Sequence, residues 1–240
     1  MIMRILIVND DGIRAKGIET LARLAKEFGQ VWVVAPADQC SAMSHCISVH
    51  SKLKVKKEDF PVEDVKAYSV TGTPADCVKA AMEAILPEKP DIVFSGINHG
   101  YNVGYDIAYS GTVGAAMDAL QQGVPAIAYS TRMGGHFETV ERYFSMVTKG
   151  ILEQEPNLRE VWNVNFPGCE PDEVKGILWD RVPAPTEYYL DHFDMEKVDE
   201  DTMVLDMVNI EFCPGQEEGT DIHALNQNCI SIGKIRNFVL

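Results

Sequence analysis

The sequence predicts an α/β protein with a Rossmann-like, mostly parallel sheet, helices on both faces, and a β-rich C-terminal arm. Short aliphatic runs such as 4–8 and 31–35 are typical of strands buried on both faces of a parallel sheet. Segments with helical periodicity separate these runs, and repeated strand–helix–strand units indicate right-handed crossovers. From residue 174 the chain becomes strand-like and acidic. We therefore expect a Rossmann-like core at 1–173 and a β-rich C-terminal segment at 174–240, whose arm packs back on the core.

The N-terminal elements alternate between strand and helix. Apolar residues, among them Ile18 and Leu21, recur at helical spacing after the first strand, and Gly29 closes that helix. The second strand stops at Pro36. The lysine-rich stretch 47–70 alternates apolar and polar residues less cleanly, which favours edge strands or a hairpin.

The next helix has a clear start. Thr73 is a suitable N-cap, Pro74 suits the first helical position, and Asp76 follows two residues later, so we expect a helix that runs to about Leu86. The remaining elements expected in this half are a strand at 91–95, a glycine-dense loop at 96–104, a helix that begins near Ser110 and a strand at 126–129.

Beyond residue 137 the pattern predicts one amphipathic helix at about 138–153 and a strand at 162–166. The stretch 174–235 then alternates apolar residues without helices to cover them. An arm of about 50 residues of this kind is too thin to fold alone, so we expect it to pair with a second subunit in a homodimer or homotetramer. Its alternating apolar residues are Val204, Leu205, Met207, Val208, Ile210 and Phe212.

Charge and composition limit the partners. The net charge of −15 over 240 residues argues against binding a nucleic acid duplex. No apolar run is long enough to span a membrane and no basic leader opens the chain, so we expect a cytoplasmic protein without membrane contact. The cysteines have neither a C-x-x-C pair nor zinc spacing, which favours reduced thiols. They are Cys40, Cys46, Cys77, Cys169, Cys213 and Cys229.

Two adjacent carboxylates, Asp10 and Asp11, follow the first strand directly. Ligands of open α/β sheets bind beyond the carboxyl ends of the strands, and paired carboxylates repel each other unless a cation or a shared proton relieves them. Ser41 and Asn98 follow other strands and should converge on the same edge. Together these groups form an all-oxygen shell for one divalent ion per subunit, Mg²⁺ or Mn²⁺ before Ca²⁺. The alternative is a surface turn rich in Asp and Gly.

A second candidate site is the helix start at Ser110, Gly111 and Thr112. Free backbone N–H groups and the positive end of the helix dipole attract anions, and Gly111 permits close approach of a phosphate. Asn102 could add an amide donor. Ordinary N-capping by Ser or Thr explains the same residues equally well. A metal site that faces a phosphate site indicates hydrolysis of phosphate esters.

The order of these motifs resembles the SurE survival-protein family. The resemblance rests on Asn-Asp-Asp-Gly-Ile at 9–13, Val-Ala-Pro at 34–36 with Ser41, Gly-Thr-Pro-Ala-Asp-Cys at 72–77, Ser-Gly-Ile-Asn at 95–98, Tyr-Ser-Gly-Thr-Val-Gly-Ala-Ala at 109–116 and, more loosely, Gly-Thr-Asp at 219–221.

This resemblance implies a divalent-metal-dependent 5'-nucleotidase with a Rossmann-like core. It also implies a hairpin arm that is exchanged between the subunits of a dimer or tetramer. The implied metal ligands are Asp10, Asp11, Ser41 and Asn98, with Asp10 and Asp11 as catalytic residues, and the implied phosphate contacts are Asn102, Ser110, Gly111 and Thr112. One departure is the loop 37–40, which lacks the arginines that family members often carry.

Several alternatives stay open at this point. A receiver-like domain also begins with paired acids that hold Mg²⁺, but it needs an Asp at the end of its third strand, where this chain has Asn98. A non-catalytic, Mg-dependent nucleotide-binding regulatory protein fits the same motifs. The residues do not distinguish 5'- from 3'-nucleotides or short polyphosphate, nor an Asp that attacks directly from one that serves as ligand or base. His45 and His99 are polar loop residues or candidate proton donors.

Overall fold

The computed structural model describes residues 2–135, 137–212 and 217–237, with the side chains of 208–212 excluded. The strands are β1 (Met3–Val8), β2 (Gly29–Pro36), β3 (Val55–Glu58), β4 (Lys66–Val70), β5 (Ile92–His99), β6 (Ala126–Thr131), β7 (Glu160–Phe166), β8 (Gly176–Arg181), β9 (Tyr189–Lys197), β10 (Met203–Phe212) and β11 (Cys229–Arg236). The helices are α1 (Lys16–Ala25), α2 (Pro74–Ala80), α3 (Gly111–Gln121), α4 (Glu138–Leu152) and α5 (Asp221–Asn226).

Nine of these strands form one sheet in the order β3-β4-β2-β1-β5-β6-β7-β11-β8. The six strands from β4 to β7 are mutually parallel, whereas β3 and β11 run antiparallel to their neighbours β4 and β7. Strands β2, β3 and β4 lie on one side of β1, and the chain then crosses over to place β5 on the other side of β1. The gap between the carboxyl ends of β1 and β5 is therefore the switch point at which such sheets bind ligands.

The central strands are buried on both faces, as their aliphatic composition predicts. In β1, Ile5 and Ile7 pack into one core cluster with α1 and α4, and Leu6 and Val8 pack into a second cluster with α2 and α3. All four side chains are fully buried. The mostly parallel sheet with helices on both faces is confirmed, and a separate two-stranded sheet of β9 and β10 matches the expected arm.

Two local expectations differ from the structure in detail. The helix expected to run to about Leu86 is α-helical only to Ala80. Its last turn, Ala81–Ile85, is π-helical. The expected loop from Gly96 begins as strand, because β5 resumes pairing with β6 through Asn98 and Ser130 after an irregularity at Ser95. In the C-terminal segment, β8 and β11 belong to the central sheet and α5 packs against it.

Two further observations bear on the composition-based expectations. The cysteines at 40, 46, 77, 169 and 229 are free thiols, and Cys213 lies outside the described residues. Within the described ranges, none of the helices combines the length and apolar character that crossing a membrane requires.

Candidate functional site

Asp10 is the buried centre of the site. It lies at the carboxyl end of β1 with a side chain that is only 3% exposed. The hydroxyl of Thr112, at the start of α3, donates a hydrogen bond of 2.6 Å to Asp10 Oδ1. A Cβ atom on Gly111 would lie 2.8 Å from the Cβ of Asp10, so only glycine lets the helix start this close to the carboxylate.

The two neighbouring acids are electrostatically strained. Burial raises the pKa of Asp10 to about 6, and the adjacent charge of Asp11 adds to this effect, while the hydrogen bonds from Thr112 oppose it. Burial also raises the pKa of Asp11. The backbone N–H of His99 donates to Asp11 Oδ2 at 3.2 Å, and this hydrogen bond partly opposes the increase. Holding both carboxylates in their charged form here is therefore unfavourable without a cation.

The other two predicted metal ligands, Ser41 on a loop and Asn98 near the end of β5, lie on segments that meet the Asp10–Asp11 pair. The backbone N–H of Cys40 donates to the carbonyl oxygen of Asp10 at 2.7 Å, which brings the loop of Ser41 to the end of β1. The Ser41 hydroxyl accepts a hydrogen bond from Gln39 Nε2. Asn98 immediately precedes His99, the residue bound to Asp11, and its Nδ2 donates to the carbonyl of Gly100.

The donor set fits a hard divalent cation. Two carboxylates, a hydroxyl and an amide carbonyl provide oxygen ligands of the kind that Mg²⁺ and Mn²⁺ prefer. Burial raises the pKa of both acids, so their charged forms are unfavourable here unless a cation compensates for the lost hydration. Across the described ranges no three or more His, Cys, Asp or Glu side chains cluster so that they could hold a metal ion, and the predicted ligand set has two carboxylates with two neutral oxygen donors.

The predicted phosphate contacts have other partners in this structure. Ser110 is the N-cap of α3, and its Oγ accepts from the backbone N–H of Val113. The Thr112 hydroxyl is engaged by Asp10, as described above. Asn102 Nδ2 donates to Ser130 Oγ at 2.8 Å, and its backbone carbonyl accepts from the side-chain amide of Asn163. A role of these residues in holding phosphate therefore stays a prediction.

The two histidines have structural contacts. His99 Nε2 lies 3.3 Å from the carbonyl oxygen of Gly135, and its ring packs beside Phe137. His45 Nε2 lies 3.3 Å from Asp118 Oδ1, and Lys79 Nζ lies 3.0 Å from the same oxygen.

Sequence reasoning missed Asp118 altogether. Its carboxylate is buried within α3 and its Oδ2 atom has no hydrogen-bond partner. Asp118 anchors the loop 40–48, which carries Ser41.

Asp76 is the second anchor of the loop 40–48. Its carboxylate accepts the backbone N–H groups of Ser48 and of Thr73, and the Thr73 hydroxyl donates to the carbonyl of Cys46 at 2.6 Å. The predicted N-cap at Thr73 is confirmed as a reciprocal capping box with Asp76. The same pair of residues thus starts α2 and holds one end of the loop.

A family model described as survival protein SurE matches residues 5–186, a range that includes all the predicted site residues. A curated protein from Clostridium botulinum (strain ATCC 19397 / Type A), named 5'-nucleotidase SurE, is 35% identical over 234 residues, covering 96% of this chain and 91% of that protein.

Further matches cover nearly the whole chain. A protein of the same name from Heliobacterium modesticaldum is 39% identical over 238 residues, covering 97% of this chain and 86% of that protein. The crystal structure of the SurE protein from Aquifex aeolicus matches with a TM-score of 0.83 at 34% identity, covering 99% of this chain and 94% of that one. The arm is therefore included in the structural similarity.

Proposed function

The chain belongs to the survival protein SurE family, and we propose that it is a divalent-metal-dependent phosphate monoesterase that hydrolyses nucleoside 5'-monophosphates to nucleoside and phosphate. The observation that carries the proposal is the pair of buried Asp10 and partly buried Asp11 at the switch point of the sheet, with Asp10 in direct contact with the start of α3. The names of the relatives support the same reaction class. 3'-Nucleotides and short polyphosphate present the same terminal phosphate and are further candidate substrates.

In this proposal Asp10, Asp11, Ser41 and Asn98 hold one divalent ion, Mg²⁺ or Mn²⁺. When bound, the ion supplies Lewis-acid chemistry that neutralises charge on a phosphate oxygen. Thr112 and the N–H of His99 keep the two carboxylates in place, so that little reorganisation is needed when substrate binds.

The start of α3 would hold the other phosphate oxygens. Backbone N–H groups at a helix N-terminus and the hydroxyl hydrogen of Ser110 are suitable donors, with Gly111 leaving room for close approach. Asn102 is the further candidate contact on the loop that follows β5.

We also propose that the protein acts in the cytoplasm as a homodimer or homotetramer. The free thiols support a reducing compartment. The arm of β9 and β10 supports subunit pairing, for reasons argued in the Discussion.

A grid of Mg²⁺, Mn²⁺ and Co²⁺ against nucleoside monophosphates, with a chelator arm, tests the function. Asp11→Asn removes one charge from the metal shell and should lower turnover at limiting metal by about tenfold or more. Asp180→Asn, at the exposed position of the edge strand β8, is the matched control and should behave as wild type. Full turnover in excess chelator, or wild-type turnover of both Asp10→Asn and Asp11→Asn at limiting metal, would contradict the proposal.

A further inference from the structure

A cavity of about 430 Å³ opens at the carboxyl ends of β6 and β7, and we name it the β6–β7 cavity. Arg132 follows β6 directly, and Gly168 belongs to the turn that follows β7. Tyr101 and Tyr188 form another wall, and Asn228 lies in the turn before β11. The cavity therefore lies on the same edge of the sheet as Asp10 and Asp11, which is where parallel sheets bind their ligands.

The metal-site acids and this cavity are linked by short, hydrogen-bonded segments. The chain passes from Asn98 to Tyr101 in three residues, a span of at most about 10 Å. The N–H of Gly100 donates to the carbonyl of Thr131, the residue before Arg132. On the other side, His99 donates its backbone N–H to Asp11, and its ring atom Nε2 lies 3.3 Å from the carbonyl oxygen of Gly135. A ligand with its phosphate beside Asp10 can thus extend toward the cavity.

The lining chemistry favours a neutral, planar, polar group. The cavity has one guanidinium, Arg132, and one carboxylate, Glu173, so it has no excess charge that would select an ion. Asn226 and Asn228 bring amide groups that pair with ring nitrogens and exocyclic groups. Nucleobases are recognised in proteins by this combination of guanidinium or aromatic stacking and edge hydrogen bonds.

The aromatic wall is fixed before any ligand binds. Tyr101 and Tyr188 pack edge to face with ring centroids 5.4 Å apart. The Tyr101 hydroxyl accepts the N–H of Gly168, and the N–H of Tyr101 donates to the hydroxyl of Tyr189. Asp106 accepts the backbone N–H of Tyr188 at 2.8 Å. A wall held in this way loses little conformational freedom on binding.

A second cavity, of about 470 Å³, fits this role less well. It lies between α1 and the edge strand β3, and three of its lining residues are acids, Glu19, Glu58 and Asp59, against the single cation Arg14. Glu58 pairs with Ala67 near the start of β4, so this cavity extends toward the amino ends of the strands. Its excess negative charge also disfavours a phosphate-bearing ligand.

We propose that the β6–β7 cavity binds the nucleoside part of the substrate and reads the base through Arg132 and Asn228. This inference rests on the proposed nucleotidase function, because it assumes that the ester phosphate binds beside Asp10. It extends that function by assigning base selectivity to residues of the β6, β7 and β11 ends.

Two variants on different elements test the assignment. Arg132→Met keeps the aliphatic stem that packs on Gly168 and removes the guanidinium. Asn228→Asp keeps a residue that tolerates the positive φ of 55° and removes the amide donors. Phe60→Leu, in the second cavity, is the matched control. If either variant fails to fold, Glu173→Gln takes its place in the test. A glutamine at 173 can still accept the capping hydrogen bond from the backbone N–H of Glu170.

The first readout is calorimetric binding of adenosine, guanosine, cytidine and uridine to the metal-free protein. We expect the dissociation constant of at least one nucleoside to rise roughly two- to tenfold in each cavity variant, as for the loss of one hydrogen bond. The second readout is kinetic. The KM for the matching nucleoside 5'-monophosphate should rise similarly, whereas kcat/KM for ribose 5-phosphate should stay unchanged.

The outcomes separate the inference from the proposed function. Unchanged nucleoside binding in the cavity variants, a shift in Phe60→Leu instead, or no nucleoside binding by wild type would overturn the cavity assignment, even if phosphate esters are hydrolysed. Weakened nucleoside binding in both variants without hydrolysis of any ester would support the cavity and refute the nucleotidase.

Discussion

At the scale of single residues, the protonation of Asp10 couples the site to the stability of the fold. Burial raises its folded-state pKa to about 6 from the ordinary value of 3.8. Between these two pH values the folded protein holds a proton that the unfolded chain has released. The free energy of unfolding should therefore fall as pH rises from about 4 to about 6, by about 3 kcal/mol in the metal-free protein.

The contribution of Asp10 can be isolated by urea unfolding of the wild type and of Asp10→Asn across this pH range, both in the presence of chelator. The variant should lack the decrease, and added Mg²⁺ should stabilise wild type more at pH 7 than at pH 4 because the ion binds the charged carboxylates. Thr112→Val removes a hydrogen bond that favours the charged form, so its decrease should extend to higher pH. An unfolding free energy that has the same pH dependence in wild type and Asp10→Asn would contradict this account.

The residue scale also shows what the sequence could not predict. Asp10 and Asp11 were identifiable because an aliphatic run ends at them, which is a local signal. The hydrogen bond between Thr112 and Asp10 could not be identified in the same way, because the two residues are 102 positions apart and only the folded sheet brings them together. The hydroxyl that seemed available for phosphate is bound to a carboxylate in this structure.

At the scale of elements, helices and strands with strong local sequence signals were predicted well, whereas short or interrupted elements were not. The capping residues of α2 and the aliphatic run of β6 are visible in the sequence. Helix α5 has only six residues, too few for helical periodicity, although Thr220 is an N-cap signal beside Asp221. The end of β5 was expected to be loop because glycines suggest turns, whereas Gly96 there has a φ of 131° within an irregular strand.

The loop 40–48 gives the element-scale prediction. Asp118→Ala removes the carboxylate that binds His45 and Lys79, so we expect the free energy of unfolding to fall by about 1–3 kcal/mol. Since Lys79 and His45 are each about a third exposed, water solvates them after the change and the cost stays moderate.

Amide hydrogen exchange locates the effect on the loop. The N–H of Ser44, bound to the carbonyl of Tyr109, should exchange faster in Asp118→Ala. His45→Ala is the companion variant. It should speed the same exchange with a smaller loss of stability, because the ion pair between Asp118 and Lys79 remains. Unchanged exchange at Ser44 in both variants would show that Asp118 does not anchor the loop.

At the scale of the whole molecule, the arm formed by β9 and β10 has an apolar face that a single chain does not cover. In the described part of the chain, β9 and β10 pair only with each other, in an antiparallel register that places Met195 opposite Leu205 and Phe193 opposite Met207. Because directly opposite residues share a face, these four side chains form one apolar face. The pair Asp194 and Asp206 belongs to the other face.

This apolar face is exposed in the single chain: Met195 is 73% exposed and Leu205 is 52% exposed. A free two-stranded hairpin is marginal in water, and soluble proteins seldom leave such an apolar surface uncovered. Its root is nevertheless fixed, since Asp106 accepts the N–H of Tyr189. A rigid root with an uncovered apolar face supports the proposed pairing with a second copy of the chain under two-fold symmetry.

The triple variant Phe193→Thr, Met195→Thr and Leu205→Thr keeps strand propensity and removes the apolar face. We expect wild type to elute as a dimer or tetramer and the triple variant to approach the monomer mass of 26.6 kDa, measured by light scattering coupled to size exclusion. Glu196→Thr, on the acidic face, is the matched control and should keep the wild-type mass. If the arm instead folds back on its own core, the wild type would already be a monomer and the triple variant would lose stability without a change in mass.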